Sequence, residues 1–312
     1  MYQPYVWEYS RLNISNTVLS KRKIEEMINT GLVSGWDDPR LHTIQGLRRR
    51  GYTSSMINKF CERIGVARSG NENLTSYKLL EFCAREELNA NAPRTFAVLD
   101  PVELEIINFD EIAEKSVEAC IFPPDKTKGV NILKVTPHIY VDRADFSEDE
   151  TKKGFFGIMK GQVVCLRYGP FVMMEEIVKR ADGSIKKVRV KAIPSESLDK
   201  KVKGVIHWVS KEHAVPAIVN QYSNLLTVEN VAEQSKKDGR VWTSYFNTES
   251  LLKHENAFIW NMHADAKEFD RFQFERVGYF CVDKSSKSDS VGGKIVFNSI
   301  VALKESAAKK AN

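Results

Sequence analysis

The stretch Phe96-Ala97-Val98-Leu99-Asp100-Pro101-Val102-Glu103-Leu104-Glu105-Ile106 divides the chain into two parts with different periodicity. Within it, apolar and polar side chains alternate as they do in a strand, and Pro101 breaks the pattern as prolines do at sheet edges and bulges. Before it, apolar residues recur at helical spacing, and after it short alternating segments follow one another. We therefore predict an α+β protein, with a small helical bundle followed by strands.

Upstream of Phe96, three helices are predicted between Lys21 and Asn91. In the first, Ile24, Met27 and Ile28 recur at i, i+3 and i+4. Capping and stop residues mark the helix ends. The first helix follows Ser20 and ends near Gly31, the second lies between Thr53 and Gly65, and the third begins after Thr75 or Ser76 and stops before Pro93.

Downstream of Phe96, many short strands without long intervening helices favour barrels or sandwiches over a parallel sheet. Asp182-Gly183 is the strongest hairpin signal in this part of the chain. The predicted strands include the segments 139–141, 163–167, 177–180, 188–190 and 205–209. These strands are enough for two small antiparallel β-barrels.

Composition places the chain among ordinary globular proteins. It has 312 residues, of which 42% are hydrophobic and 28% are charged, and this length suggests about two domains. No apolar run approaches the roughly 20 residues of a membrane span, and the N-terminus lacks a secretory pattern. The five cysteines are odd in number and scattered among apolar neighbours, which predicts reduced thiols rather than disulfides or zinc ligands. We expect a cytoplasmic protein without a metal site.

Charge is only weakly informative as a total, because 46 basic and 41 acidic residues leave a net charge of +5. Clusters say more. Lys21-Arg22-Lys23 opens a helix, where cations oppose the helix dipole at a cost of a few tenths to about 1 kcal/mol each. An anionic partner such as phosphate would offset that cost, and a solvated charge run is the alternative.

Arg48-Arg49-Arg50 precedes Gly51 and suits the negative end of a helix, although phosphate contact is also possible.

The segment Phe272 to Phe280 combines aromatic residues with base-reading residue types. Phe272 and Phe274 alternate toward a core, so that Gln273, Glu275 and Arg276 would face outward. Glutamine and arginine recognise base edges, and unpaired loop bases are the usual target of sequence-specific RNA recognition. The alternative is an ordinary amphipathic edge strand.

None of the six histidines has metal-ligand spacing, and no nucleophile elbow, phosphate-binding P-loop or dinucleotide fingerprint is present.

Taken together, four motifs resemble the end of the catalytic core in class I glutaminyl- and glutamyl-tRNA synthetases. Val18 to Arg22 would occupy the K-M-S-K-S loop of that family. The motifs are Tyr9 to Asn13, Val18 to Lys23, Gly35 to Arg40 and Gly46 to Gly51. Five further segments look like the glutaminyl enzymes in particular, namely Asn89 to Arg94, Leu99 to Val102, Asp142 to Phe146, Lys203 to Val209 and Gln273 to Arg276.

This resemblance implies a division of the chain into functional parts. The end of the catalytic core would occupy 1–25 and a helical connector 26–95. A proximal anticodon-binding barrel would comprise 96–119 with 206–306, a distal anticodon-binding barrel 120–205, and a tail 307–312. Two antiparallel barrels after a helical connector agree with the prediction from periodicity.

The resemblance also implies an ATP site at the first motifs, completed with Mg²⁺ in the whole enzyme. Arg11 and Leu12 would touch ATP, while Leu19, Ser20 and Lys21 would close over its phosphates. Lys21 would be catalytic, because positive charge on a mobile loop stabilises the charge that develops as pyrophosphate leaves.

For tRNA(Gln), the resemblance implies a set of anticodon-reading residues. Arg94, Gln273 and Arg276 would hold the central anticodon base, and Arg167 would read the first base. Asn89 would lie near the anticodon loop, and Arg68 begins the segment where the connector meets the inner surface of the tRNA. The chain departs from bacterial relatives at Cys165-Leu166-Arg167 and at Phe155-Phe156-Gly157, where those enzymes have additional basic residues.

The family's nucleotide-binding fold and its H-I-G-H element have no counterpart in this sequence. We therefore expect a fragment of a monomeric glutamine–tRNA ligase, a class I aminoacyl-tRNA synthetase, that binds tRNA(Gln) but has no ligase activity by itself. The alternatives are a free-standing RNA-binding module derived from a synthetase, the C-terminal region of a glutamyl-tRNA synthetase, and a protein-interaction subunit that uses the barrels as a scaffold.

Overall fold

The computed structural model describes residues 2–68, 74–198 and 201–304. Within these ranges it contains five α-helices, four before the β-rich part and one inside it. The helices are α1 (Lys21–Asn29), α2 (Ile44–Arg50), α3 (Ser54–Ile64), α4 (Tyr77–Asn91) and α5 (Val231–Asp238). The predicted tail 307–312 lies outside the described residues.

The same ranges contain eighteen strands, most of them short. In chain order they are β1 (Asn13–Ile14), β2 (Leu74–Thr75), β3 (Arg94–Thr95), β4 (Ala97–Val98), β5 (Pro101–Ile106), β6 (Ser116–Cys120), β7 (Val130–Lys134), β8 (His138–Asp142), β9 (Val163–Leu166), β10 (Phe171–Lys179), β11 (Ile185–Ile193), β12 (Gly204–Ile206), β13 (Val209–Ser210), β14 (Ala214–Tyr222), β15 (Leu251–Trp260), β16 (Arg271–Phe274), β17 (Gly278–Val282) and β18 (Ile295–Ala302).

Helix boundaries follow the capping residues in the sequence. Ser20 is the N-cap of α1, and the Thr53 hydroxyl caps α3 by accepting a hydrogen bond from the Met56 amide at 3.1 Å. Ser76 caps α4 in the same way, and Gly65 ends α3. The three predicted helices are therefore confirmed. The three did not include α2, of which only the end at Gly51 was expected, and they lacked α5, a short helix between β14 and β15 that is capped by Asn230.

Two seven-stranded sheets and a separate antiparallel pair of β6 with β7 form the β-rich part. The first has the order β12-β9-β10-β11-β5-β8-β13, and the second has the order β3-β16-β17-β18-β14-β15-β4. They form one nearly closed barrel and one half-barrel after the helices, so the α+β fold class is confirmed. In each sheet the two edge strands are neighbours in the chain: His207 and Trp208 separate β12 from β13, and Phe96 alone separates β3 from β4.

The strand pairing differs from the prediction in direction. The predicted barrels were antiparallel, but each sheet contains two parallel pairs: β11 with β5 and β12 with β9 in the first sheet, and β14 with β18 and β16 with β3 in the second. These paired strands are far apart in the chain and are not joined by tight turns, so no local constraint makes them antiparallel. The hairpin predicted at Asp182-Gly183 does join β10 to β11 in antiparallel register.

Strand β5 lies in a different sheet from the one that its position in the chain suggested. The resemblance grouped 96–119 with 206–306, and β4 does belong with the later strands. However, β5 pairs with β8 and β11, and its buried side chains Val102, Leu104 and Ile106 enter the core of the first sheet. The crossing from one sheet to the other therefore falls between Val98 and Pro101.

The two sheets share part of their core. Trp208 is fully buried, its indole meets that of Trp260 from the second sheet edge to face, and the two ring centroids are 5.8 Å apart. Tyr140 and Phe258 stack across the same junction at 4.4 Å. Aromatic contacts of this kind hold the two sheets in a fixed relation. Within the described ranges, no helix has the length and apolar character needed to cross a bilayer.

The helical part packs on the second sheet where α2 ends. Gly51 ends α2 at φ 113°, and a Cβ atom placed there would come within 2.5 Å of the Cys281 Cβ and 2.8 Å of the Ile300 side chain. Glycine is thus needed for two reasons, namely the left-handed backbone and the close approach to β17 and β18.

Gly51→Ala is expected to lower the free energy of unfolding by about 2 to 4 kcal/mol, since it adds left-handed strain and overpacks the contact with β17 and β18. Urea denaturation followed by circular dichroism measures the loss. Gly31→Ala is the matched control, because Gly31 is also left-handed (φ 72°) but has no neighbouring atom within 4 Å of the added Cβ. That variant should lose only about 1 kcal/mol. Equal losses in the two variants would show that the packing at Gly51 is unimportant.

Candidate nucleic-acid interface

Two tight turns face each other at the junction of the sheets. One follows β9, where the Gly169 amide donates to the Leu166 carbonyl at 2.6 Å, and the other follows β16, where the Val277 amide donates to the Phe274 carbonyl at 3.0 Å. The third residue of each turn, Tyr168 or Arg276, has a positive φ of 65° or 68°. A non-glycine residue in this region costs roughly 1–2 kcal/mol, so other contacts must hold both turns in place.

Glu275 supplies one of these contacts. Its side chain is almost completely buried, and its carboxylate forms an ion pair with Arg167 and accepts a hydrogen bond from the Tyr168 hydroxyl at 3.2 Å. Arg167 also donates to the Tyr168 hydroxyl at 3.2 Å. Burial and the nearby Glu275 carboxylate raise the pKa of the Tyr168 phenol, so the phenol stays protonated as a donor. The two turns are thereby joined through a carboxylate of the second sheet.

Arg276 connects its own turn to the first sheet at a second place. Its Nη1 and Nη2 atoms donate to the Asp145 carboxylate at 2.5 Å and 2.7 Å, which is the bidentate geometry of a strong ion pair. Nη1 also lies 3.1 Å from Nδ1 of His207. A guanidinium can only donate, so Nδ1 of His207 accepts, and the imidazole proton is on Nε2.

His207 in turn connects Arg276 to Asp142. Nε2 of the buried His207 donates to Asp142 Oδ2 at 2.7 Å, and Asp142 Oδ1 accepts from the amides of Leu99 and Asp100 at 2.8 Å and 2.9 Å. Burial by itself would raise the pKa of Asp142, but these donors outweigh burial and hold that pKa below its ordinary value. An ionised Asp142 therefore fixes the imidazole that orients Arg276.

The predicted pair Arg94 and Gln273 is in direct contact. Strands β3 and β16 run parallel with these two residues in register, and Arg94 Nε donates to Gln273 Oε1 at 3.2 Å. The Glu275 amide donates to the Thr95 carbonyl at 3.0 Å, so the Arg276 turn begins beside β3. The Arg276 side chain, however, is directed toward Asp145 and His207 rather than toward the Arg94 and Gln273 pair.

The other two predicted RNA contacts lie on the helical side. Asn89, near the end of α4, is exposed and accepts a hydrogen bond from the hydroxyl of Tyr279 in β17. Arg68 lies over the ring of Trp7 at 4.3 Å. Residues 69–73 of the segment that Arg68 opens lie outside the described residues.

A cleft of about 600 Å³ lies beside the N-terminus of α1. Arg11, Leu19 and Ser20 line it together with Lys23, and its lining also includes residues 229–233, of which Glu229 and Glu233 are carboxylates. The Ser20 side chain makes no capping hydrogen bond, so the helix end lacks that internal partner. Burial lowers the pKa of Lys23, Glu26 opposes this effect and Arg11 adds to it. Two neighbouring cations at this end of the helix suit a phosphate group.

Lys21 and Leu12 lie outside the lining of this cleft. The Lys21 side chain is 77% exposed and its Nζ atom lies 3.6 Å from Glu25. The predicted ATP-binding residues are therefore only partly brought together. In the described ranges, no group of three or more histidine, cysteine or carboxylate side chains could hold a metal ion, and all five cysteines are free thiols.

Several charged residues in the conspicuous motifs are structural. Asp38 is buried and accepts from Ser34 and Arg40, whose guanidinium also reaches the Leu32 carbonyl and the Ser250 hydroxyl. Arg49 is paired with Asp283 at 2.8 Å, and the buried Arg50 donates to the Ser299 carbonyl at 3.1 Å. Two of the three arginines before Gly51 therefore join the helices to the second sheet.

The acidic partners of the arginines were not predicted from the sequence. Glu275 was placed outward by strand alternation, and this is wrong, because β16 ends at Phe274 and the turn directs the carboxylate into the junction. Asp145 and His207 lie in segments that carried the family resemblance, but no role was assigned to them. The sequence Phe274-Glu275-Arg276, in which a carboxylate lies between an aromatic residue and an arginine, was the feature from which a buried ion pair could have been predicted.

His42 supports the cleft from behind. Its Nδ1 lies 2.8 Å from the hydroxyl of Thr17, which lines the cleft, and its ring meets Tyr77 edge to face at 4.6 Å. Its Nε2 is buried and has no hydrogen-bond partner among the residues that the structure describes. Burial and the charge of Arg50 lower the pKa of His42 to about 3.

Stability should therefore fall as the pH decreases from 7 to 5. In the unfolded chain His42 binds a proton near pH 6.5, whereas in the folded chain it stays neutral until about pH 3, so acid favours unfolding in this window. The expected contribution of His42 between pH 7 and pH 5 is about 2 kcal/mol. His42→Gln should lose about that much less stability over this range in urea denaturation. Burial also lowers the pKa of His263, to about 4. Its contribution is the same in the unmodified chain and in His42→Gln, so it cancels when the two pH profiles are subtracted. Identical pH profiles would contradict the assignment to His42.

Comparisons with known proteins cover nearly the whole chain. Residues 1–90 match the family model for "tRNA synthetases class I (E and Q), catalytic domain", and residues 92–193 and 205–283 each match a family model for the anti-codon binding domain of the same group. The chain is 39% identical to a probable glutamine–tRNA ligase of Dictyostelium discoideum over 99% of the chain and 38% of that protein.

Two further relatives show a similar degree of identity over nearly the whole chain. The chain is 40% identical to the glutamine–tRNA ligase of Vibrio parahaemolyticus over 99% of the chain and 54% of that protein. It is also 40% identical to the glutamine–tRNA ligase of Lupinus luteus over 99% of the chain and 38% of that protein. The chain thus spans about half or less of the length of the relatives that it matches.

Proposed function

Because this chain belongs to the class I tRNA synthetases of the E and Q group, we propose that its two sheets recognise the anticodon of tRNA(Gln). The observation that carries the proposal is the pair of strained, cross-bonded turns at the sheet junction, with the Arg94 and Gln273 pair on the strand beside them. Strained residues that surrounding contacts hold in place occur preferentially at binding sites. Arginine and glutamine edges suit unpaired bases.

In this proposal each arginine has a separate target. Arg94 and Gln273 hold the central anticodon base together with Arg276, and Arg167 reads the first base. Asn89 and Arg68 contact the tRNA on the side of the helical connector. Phosphate contacts by other lysines and arginines supply affinity without sequence information.

The functional parts follow the observed sheets. Residues 1–25 form the end of the catalytic core and 26–93 the connector, which is two residues shorter than the resemblance implied. The proximal anticodon-binding body consists of 94–98 and the strands from 214 to 302, and the distal one of the strands from 101 to 210, which include β5. This division moves 101–119 and 206–210 from the proximal to the distal body.

The cleft beside α1 is the proposed contribution of this chain to an ATP site. Arg11, Leu19, Ser20 and Lys23 from the lining, with Lys21 beside it, would hold the phosphates, which fits a helix N-terminus whose cap residue makes no side-chain hydrogen bond. Bound ATP with Mg²⁺ supplies an activated phosphoanhydride for glutaminylation of tRNA. The role of Lys21 is to add positive charge from the rim of the cleft. Adenylate formation also requires an oriented amino-acid carboxylate. We therefore propose that this chain alone binds tRNA without charging it.

Binding of a tRNA(Gln) transcript to this chain should weaken steeply with salt, because neutralised phosphates release counterions on binding. Fluorescence anisotropy at several salt concentrations gives the slope of log K against log salt. A tRNA transcript of equal length with an unrelated anticodon loop is the matched control and should bind more weakly. Weak, salt-independent binding of both RNAs would contradict the proposal and favour the protein-interaction alternative.

Arg94→Ala and Arg276→Ala should each reduce discrimination between tRNA(Gln) and the same tRNA with its central anticodon base replaced. The expected loss is about 1 to 3 kcal/mol for a lost base contact. Competition binding with the two tRNAs measures it. Arg189→Ala is the control, because Arg189 lies on β11 and is paired with Glu105 and Glu176 away from both turns. If a variant at either position weakens both tRNAs equally and lowers the salt slope by about one, that arginine binds phosphate instead.

A further inference from the structure

The arginines of the two turns are already neutralised by carboxylates that lie beneath them. Glu275 and Asp145 expose only 5% and 13% of their side chains, while their partners Arg167 and Arg276 expose 31% and 36%. The acids are therefore held inside the junction and the guanidinium groups lie at its surface. A ligand that approaches the junction meets the N–H donors first.

Pairing changes what such an arginine can recognise. A free guanidinium at a protein surface attracts any backbone phosphate, which adds affinity but no sequence information. A guanidinium and the carboxylate that it binds carry little net charge as a pair, and the pairing keeps the remaining N–H groups of the guanidinium in a fixed direction. Of the five N–H groups of Arg276, Asp145 takes two and His207 takes one, so two remain for acceptors on a base.

Arg94 provides a contrast within the same site. Its Nε atom donates to the neutral amide of Gln273, a contact that does not cancel its positive charge. The site thus combines one guanidinium bonded to an amide with two guanidinium groups bonded to carboxylates. The two strained turns, with Tyr168 and Arg276 at positive φ, carry the carboxylate-paired arginines and set their direction.

We propose that Glu275 and Asp145 are specificity-determining positioning residues, which convert Arg167 and Arg276 from general phosphate binders into readers of base acceptors. This inference rests on the proposed anticodon recognition and goes beyond it, because it assigns discrimination to two carboxylates that need not touch RNA. Removal of either negative charge should increase general RNA affinity and reduce specificity.

Glu275→Gln tests this directly, because glutamine keeps the shape of the side chain and an acceptor for Tyr168 while it removes the charge. Binding is measured with tRNA(Gln) and with a transcript whose first anticodon base is replaced. The expected result is tighter binding of the replaced transcript, a drop in discrimination of about tenfold and a salt slope steeper by about one. Asp145→Asn should give the same changes for a transcript with a replaced central base.

Glu105→Gln is the matched control. Glu105 is also a carboxylate paired with two cations, Arg189 and Lys187, and its substitution changes the net charge by the same amount. It should leave discrimination unchanged. If Glu105→Gln reproduces the loss of discrimination, the effect is one of net charge and the inference is overturned.

The remaining outcomes separate the inference from the proposed function. If the unmodified chain does not discriminate between the transcripts, anticodon recognition itself fails. If it discriminates and folded Glu275→Gln retains the full discrimination and salt slope, anticodon recognition stands and the inference is wrong. Circular dichroism melting establishes folding. If Glu275→Gln does not fold, Asp145→Asn decides the question by the same two readouts.

Discussion

Burial of the Glu275 carboxylate between two sheets is the constraint on which the interface depends. A charged group removed from water is tolerated only when it is paired and hydrogen-bonded, and Arg167 and Tyr168 meet that requirement from the other sheet. The pairing holds a tyrosine in a left-handed conformation that it would otherwise avoid. Arg276, Asp145 and the buried imidazole of His207 form a second connection beside the first. Together these contacts fix the relative position of the two turns.

Arginine has two structural uses in this chain. Arg40, Arg49 and Arg50 reach inward to carboxylates, carbonyls and a hydroxyl, and so join loops and helices to the second sheet. Arg167 and Arg276 lie above their carboxylates and keep a partly exposed face. Both groups form ion pairs, and in both the carboxylate is more buried than its arginine. The difference is one of exposure: the side chains of Arg40 and Arg49 expose 10% and 22% of their surface, whereas those of Arg167 and Arg276 expose 31% and 36%.

Local chemistry made part of this structure predictable. The caps Ser20, Thr53 and Ser76 define three helices, and Asp182-Gly183 defines a hairpin, because these signals act within a few residues of the chain. The contact between Arg94 and Gln273 followed from family resemblance. The parallel pairings and the sheet of β5 depend on strands far apart in the chain, where periodicity gives no partner. The burial of Glu275 depends on a turn that ends the alternation and on Arg167, 108 residues earlier, so no local pattern could reveal it.

The arrangement of the sheet edges has a consequence for association between molecules. Unpaired strand edges are sites where a second chain can add a strand and begin aggregation. In each large sheet, one short continuous segment forms both edges, so each outer edge strand is only two or three residues long. The segment 94–98 therefore protects the second sheet on both sides at once. The link between its two borders is the single residue Phe96, which is itself buried, so the point that joins both edges is shielded from solvent.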